Sequence, residues 1–323
     1  MKFFNNLNTQ IFLSKFLPLT CMSIEHLSLV YVLGSDAKKY LNQQFSIEID
    51  HITLKNYKIG AHCNYNGKVW GVLIIMLFRL GYLYLIPTDI VKKQILELKK
   101  YSVFSKIKIY ILSNFNLFGI SGKNSENFLS KIFMKNFFIK KNIEYIKNYI
   151  FLKICIPIFR VLILVPKTLT FKFLKKIPID IQKNNYIQWL SLDIESNFPI
   201  ITQKNMGKFL PQLLNLKFWN AINFKKGCYY GQEMIFKIET KKIFNTHLIC
   251  IKGISNFLPK IGDSIYCFRN NIFYSVGKIF YAIFINTKKI FLQVSLKNQY
   301  IHYNTFFLTA NTTFLLKIFK YNL

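Results

Sequence analysis

Leu27-Ser28-Leu29-Val30-Tyr31-Val32-Leu33, then Gly34-Ser35-Asp36, then Ala37-Lys38-Lys39-Tyr40-Leu41-Asn42-Gln43-Gln44, reads as a strand, a turn and a helix. The first run is apolar and β-branched, which suits a strand. Gly34 interrupts it, and Asp36 stands where an N-cap is wanted before a short helix over 37–44. Downstream, Asn64-Tyr65-Asn66-Gly67 is a hairpin turn between strands at Ile59–Cys63 and Lys68–Leu77. Over Ile90–Lys100, Ile90, Ile95 and Leu98 are apolar with lysines between them, a helical pattern, and Val103–Leu112 then alternates like a strand. Hairpin-joined strands interrupted by single helices predict an α+β fold, not a doubly wound parallel sheet.

The stretch 125–183 is rich in Lys, Ile and Asn and resists division. After it, Asn184 or Asn185 caps a predicted helix over Tyr186–Ser196, which Asn197-Phe198-Pro199 ends. At about 100° per residue, Ile187, Leu190 and Ile194 share one face, and Trp189, Leu192 and Ser196 lie opposite. Trp189 therefore either packs a second core or fronts a pocket. From Ile243 onward the pattern changes to short strand-like runs: Leu248–Ile251, Ser264–Phe268, Ile272–Val276, Phe280–Ile285, Ile290–Leu296, Phe306–Leu308 and Phe314–Phe319. Glycine, proline and asparagine punctuate them, which predicts a separate small β-barrel. The expected division is an α/β body over 1–240 and a barrel over 241–323.

Composition bounds the function. With 323 residues, 52% of them hydrophobic, the chain has enough apolar surface for a large core, so a disordered or low-complexity protein is excluded. The formal charge is +30, yet of 44 Lys and Arg only three are Arg (Arg79, Arg160, Arg269). Phosphate recognition favours the planar Arg fork, so the charge reads as compositional drift and not as a dedicated nucleic-acid surface. The six cysteines include no Cys-x-x-Cys, and the five histidines show no metal spacing. Scattered thiols in a chain of this size fit a reducing cytoplasm. The longest charge-free stretch, Asn298–Leu316, is broken by polar residues, and Lys15 splits the N-terminal apolar run, so neither a membrane span nor a secretory signal is expected. Leu17-Pro18-Leu19-Thr20-Cys21 lacks the small residue that a lipoprotein cleavage box needs before its cysteine.

The sharpest chemical signal is Lys226-Gly227-Cys228-Tyr229-Tyr230-Gly231-Gln232-Glu233. Glycines on either side of the cysteine let the backbone turn tightly and approach a partner closely. Lys225 and Lys226 precede the thiol, and a nearby ammonium favours thiolate. Two readings stand on spacing alone: a loop-borne reactive cysteine, or a buried cysteine beside a tight turn.

This segment resembles the signature of the YgfZ family, a folate-binding branch of the glycine-cleavage T-protein (aminomethyltransferase-like) superfamily. The pattern is Lys-Gly-Cys-Tyr-x-Gly-Gln-Glu, and all seven specified positions are present. The similarity continues through Leu17-Pro18-Leu19-Thr20, Gly34-Ser35-Asp36-Ala37, His62-Cys63, Asn66-Gly67-Lys68-Val69-Trp70, Gln188-Trp189-Leu190 and Phe209-Leu210-Pro211-Gln212. Residues about 115 to 180 and the C-terminal part match only in general character. The resemblance implies an aminomethyltransferase-like folate-binding body of two α/β subdomains plus a C-terminal β-barrel. It also implies that tetrahydrofolate or a related folate is the ligand. The implied role is that of an accessory protein for iron–sulfur enzymes that modify tRNA, acting through Cys228.

By the same resemblance Trp189 is a stacking wall for a flat ring. Leu27 stands where the family has a second Trp, so altered folate binding is expected. Glu195 either accepts hydrogen bonds from a pterin or is a solvated helix carboxylate. Lys226, Gly227, Tyr229, Gly231, Gln232 and Glu233 accompany the cysteine as the remainder of the signature. Partners implied are folate and iron–sulfur tRNA-modifying enzymes, while the Lys-dominated charge argues against direct tRNA recognition. The alternative is a folate-dependent aminomethyl transferase, which would need an acid or base placed at the reactive nitrogens of the folate. No assignable reaction, hence no enzyme class, follows from the residues.

Overall fold

A computed structural model describes residue 4 and residues 10–137, 141–241 and 244–309, with backbone alone at 315–318. A short strand β1 (Thr20–Ser23) leads into β2 (Leu27–Leu33) and helix α1 (Ala37–Gln44). Strands β3 (Lys58–Cys63), β4 (Val69–Phe78) and β5 (Gly81–Pro87), helix α2 (Val91–Lys99) and strand β6 (Lys108–Leu112) follow. Five of these strands form an antiparallel sheet ordered β3-β4-β5-β2-β6. The expected strand, hairpin and two helices are all present. The Asp36 cap is not made: its carboxylate accepts from the Lys106 N–H at 2.7 Å instead, tying the start of α1 to the approach of β6. That approach forms turns, with Val103 and Phe104 exposed, so only the second half of the strand expected over 103–112 forms.

The undivided stretch resolves into β7 (Phe115–Ser121), α3 (Ser125–Phe133), β8 (Ile143–Ile146), β9 (Tyr149–Ile154), β10 (Arg160–Pro166), α4 (Thr170–Lys175) and β11 (Gln182–Asn184). With β1 they make a six-stranded sheet ordered β11-β1-β7-β10-β9-β8, parallel only between β1 and β11. Helix α5 (Tyr186–Glu195) starts at Asn185, whose side chain accepts from the Ile187 N–H at 3.0 Å.

The two sheets face each other across a core that includes Met22, Leu29, Ile74, Leu85, Leu117, Leu152, Leu162 and Trp189. The outer face of the five-stranded sheet is covered by α1 and α2, through Leu41 and Leu98, and by residues such as Ile201 and Leu216. The outer face of the six-stranded sheet is covered by α3 and α4, through Leu129 and Phe173. Apolar residues on both faces of each sheet thus find partners, giving helix–sheet–sheet–helix layers.

Helix α6 (Gln232–Lys241) precedes a closed barrel of β12 (Thr246–Ile254), β13 (Ser264–Arg269), β14 (Ile272–Phe284), β15 (Lys289–Lys297), β16 (Thr305–Phe307) and β17 (Leu315–Ile318). Of the run expected over 314–319, the two end residues lie outside the described residues. The runs at 272–276 and 280–285 are one strand. Gly277 lies within this strand, and its missing side chain admits β15, since an added Cβ would sit 2.6 Å from the Ser295 carbonyl oxygen. An irregularity between Ile279 and Tyr281 bends the strand as the barrel closes. Leu190 and Ile194 of α5 pack on Cys250, Ile283 and Phe291 of the barrel, so the helix serves two cores at once. The fold is α+β. Among the described residues no helix is long and apolar enough to cross a membrane.

Candidate functional site

A cleft with about 690 Å³ of empty space, counting its mouth, opens beside α5. Both sheets line it, through Leu27, Ile74, Leu85 and Leu162, as do Trp189 and Asp193 of α5 and the loop residues Phe198 and Trp219. The walls are mostly apolar with a few polar groups, the make-up of a ligand site.

Those polar groups form one cluster. Arg160, at the start of β10, is 1% exposed, and its Nη2 lies 2.7 Å from Asp193 Oδ1. Its guanidinium lies over the Trp189 indole, 4.6 Å from the ring centroid. The indole is also pressed against Gly119, where an added Cβ would fall 2.6 Å from its Cε3. Burial raises the Asp193 carboxyl, and the attraction of Arg160 opposes that rise. Burial, reinforced by the Arg160 charge, lowers His26 to about 3, so its imidazole is neutral. The Arg160 Nε and Nη1, the His26 Nδ1 and the Trp219 Nε1 are all buried without a hydrogen-bond partner. Buried polar groups are nearly always paired, so four unpaired atoms on residues around one cleft make it the candidate binding site.

Of the ligand residues expected from the sequence, the structure brings Trp189 and Leu27 to this cleft. Glu195 is not among its lining residues. It is fully buried, and its Oε2 accepts from the Ser14 N–H at 2.9 Å. Burial pushes its carboxyl up to about 7, with Ser14, Lys252 and Arg160 opposing. The carboxylate in the cleft is Asp193, four residues after Trp189 and so on the same helical face. That spacing was available in the sequence. Arg160, His26 and Trp219 carried no such local signal.

The cysteine loop is elsewhere, since Cys228 does not line the cleft. Cys228 and Gly227 are exposed, and an added Cβ on Gly227 would meet nothing within 4 Å. The flanks are clamped. Lys226 turns inward and its Nζ donates to the carbonyls of Asn42, Phe45 and Ile47, at 2.5, 2.9 and 2.7 Å, where α1 ends. Burial lowers this ammonium to about 8, with Glu48 and Asp50 opposing. The expectation that Lys226 attends the thiol is thereby corrected: its charge is committed to backbone oxygens.

Tyr229 is buried in the core over the five-stranded sheet, and the Tyr230 N–H donates to the Gln43 carbonyl at 2.9 Å. Gly231, at φ +83°, lies so close to the β3–β4 turn that an added Cβ would be 2.3 Å from the Asn64 carbonyl oxygen. Gln232 spans the loop, accepting from the Tyr229 N–H and donating to the Lys226 carbonyl. Glu233 is exposed in the first turn of α6. Lys226, Tyr229, Gly231 and Gln232 thus anchor the loop on both sides of an exposed Cys228.

No family model matches the chain. The chain is 39% identical over 286 residues to the tRNA-modifying protein YgfZ of Buchnera aphidicola subsp. Schizaphis graminum (strain Sg), covering 88% of this chain and 89% of that protein. It is 36% identical over 299 residues to the protein of that name from Buchnera aphidicola subsp. Acyrthosiphon pisum (strain APS), covering 93% and 94%. Against the one from Yersinia pestis (strain Pestoides F), identity is 30% over 283 residues, covering 88% and 86%. Among solved structures, the glycine cleavage system aminomethyltransferase T from Bartonella henselae superposes with a TM-score of 0.76 over 94% of this chain and 85% of that one. At 13% identity the likeness is one of fold. Taken with the complete cysteine signature, near-full-length identity at this level makes the chain a member of the YgfZ family.

Proposed function

We propose that this chain is a folate-binding accessory protein that supports iron–sulfur-dependent tRNA modification in the cytoplasm through the thiol of Cys228. The name of the relatives, tRNA-modifying protein, supplies the tRNA-modification part of this reading. The observation that carries the role of the thiol is the loop itself: both flanks are clamped, while Cys228 is left in solvent. A filler cysteine needs no such support, whereas a thiol that must meet a group on a large partner does.

Two features support folate in the cleft. The walls are aromatic and aliphatic, and buried donors stand unpaired around it. Trp189, Leu27, Asp193 and Arg160 would hold the ring. A bound reduced folate would supply one-carbon or redox chemistry, and the part of the protein is to bind and orient it in a dry site. In this reading residues 1–240 form the folate-binding body and 241–323 the barrel domain. The client is an iron–sulfur enzyme, and direct tRNA contact is not required.

The test is complementation of a bacterial strain lacking its YgfZ protein. Cys228→Ala should abolish rescue while circular dichroism and thermal midpoint stay unchanged. Full rescue by the alanine variant would remove the thiol from the function.

A further inference from the structure

We propose that Arg160 selects the ligand of the cleft by its hydrogen-bonding edge, taking a flat heterocycle that presents a ring carbonyl and rejecting the same ring with an amino group there. The inference rests on the folate reading and adds a chemical criterion to it.

Arg160 has donors only. One nitrogen is engaged by Asp193, and Nε and Nη1 are buried without an acceptor. The Trp219 Nε1, also a donor only, is in the same state. The His26 Nδ1 donates or accepts according to tautomer, so three of the four unpaired atoms are donors only, and a ligand edge facing those three must present acceptors. Two chemistries qualify: a carboxylate, or a neutral ring oxygen or nitrogen.

Charge decides between them. Arg160 is already balanced by Asp193 at 2.7 Å. His26 is held neutral by burial and by the same guanidinium. A carboxylate brought here would add an uncompensated buried charge, whereas a ring carbonyl would add none. The stack on Trp189 and the Asp193 contact together fix the guanidinium plane, so its free donors cannot swing toward solvent. An amino group placed against them would set donor against donor and leave both unsatisfied. Arg160 is thus assigned as the specificity residue, with Asp193 and Trp189 as the groups that position it.

Three probes separate the possibilities: folic acid, with a ring 4-oxo group; aminopterin, with a 4-amino group on the same skeleton; and pteroic acid, with the 4-oxo ring and no glutamate. Binding to the full chain is measured by calorimetry. Aminopterin should bind about tenfold or more weaker than folic acid, and pteroic acid should bind within roughly threefold of folic acid. The double variant Arg160→Met, Asp193→Asn, which leaves no lone buried charge, should bring the folic acid to aminopterin ratio to about one. Equal affinity of the unmodified protein for folic acid and aminopterin overturns the proposal. A preference for folic acid over pteroic acid that disappears in the double variant also overturns it, because Arg160 would then be holding the tail. If none of the three binds, the folate reading itself fails and this inference falls with it. The comparison of probes on the unmodified protein does not depend on how the variant folds.

Discussion

The ammonium of Lys226 lies 2.7 Å from the carbonyl oxygen of Ile47, a residue 179 positions earlier in the chain. Two further carbonyls, of Asn42 and Phe45, complete the cradle. These oxygens lie at and just past the end of α1, where backbone acceptors lack helical partners. Lys226→Met should therefore cost about 2–3 kcal/mol, because it removes charge-assisted bonds and strands buried acceptors. Urea denaturation measures that loss, and rescue of the deletion strain should fail even below the variant's thermal midpoint.

The two glycines of the loop should behave oppositely. Gly231→Ala meets both a positive φ and the Asn64 carbonyl at 2.3 Å, so it should destabilise by roughly 3 kcal/mol. Gly227→Ala meets open space and should change stability by less than about 0.5 kcal/mol. Thermal midpoints of the pair decide the matter, and equal shifts would show that the loop is not clamped at Gly231.

Thiol titration reads the surface directly. Cys155 and Cys228 are exposed, and Cys21, Cys63, Cys250 and Cys267 are buried. Two thiols per chain should react with an aromatic disulfide reagent before unfolding, and the other four only in denaturant. Cys228→Ser should leave one fast thiol. A fast count unchanged by that substitution would mean the sulfur is covered.

Glu195 makes stability depend on pH. Its carboxyl sits at about 7 in the folded chain against 4.5 when free, so between those values the folded state holds more protons than the unfolded one. Stability from this group is therefore full below about pH 4.5 and is lost as pH rises through 7, a difference on the order of 3 kcal/mol. His26 and His62, each lowered to about 3 by burial, act in the opposite sense, destabilising the fold as pH falls below 6.5. The contribution of Glu195 is isolated by comparing Glu195→Gln with the unmodified chain. The variant keeps an acceptor for Ser14 and should be more stable at pH 8 by about 1–3 kcal/mol, with no advantage at pH 4.5. A constant difference across that range would contradict this.

Local pattern made much of the fold legible. Asn185 caps α5 as its position indicates, the Asn64–Gly67 turn joins β3 to β4, and Trp189 meets both alternatives left open for it, packing a core and lining a pocket. The reading of Val103–Leu112 overran because alternation alone cannot distinguish a strand from turns whose apolar side chains stay in solvent. The runs at 272–276 and 280–285 were read as two strands because the break in pattern between them, at Gly277, is in space a point where β15 approaches closely. The cleft was harder still. Arg160 and Asp193 are brought together only by packing the six-stranded sheet on α5, and Trp219 arrives on a loop without periodicity. The inward turn of Lys226 was hidden for the same reason: its partners lie at the other end of the body.

The β3–β4 hairpin runs from the cleft to the cysteine loop. Ile59, Val72 and Ile74 stand in its shaft and touch the cleft, while its tip, at Asn64 and Gly67, bears on Gly231 three residues from the sulfur. One ribbon therefore has its middle along the cleft and its end against the loop that carries Cys228. The cleft and the cysteine loop are thus joined by two hydrogen-bonded strands of a single hairpin, although Cys228 itself does not line the cleft.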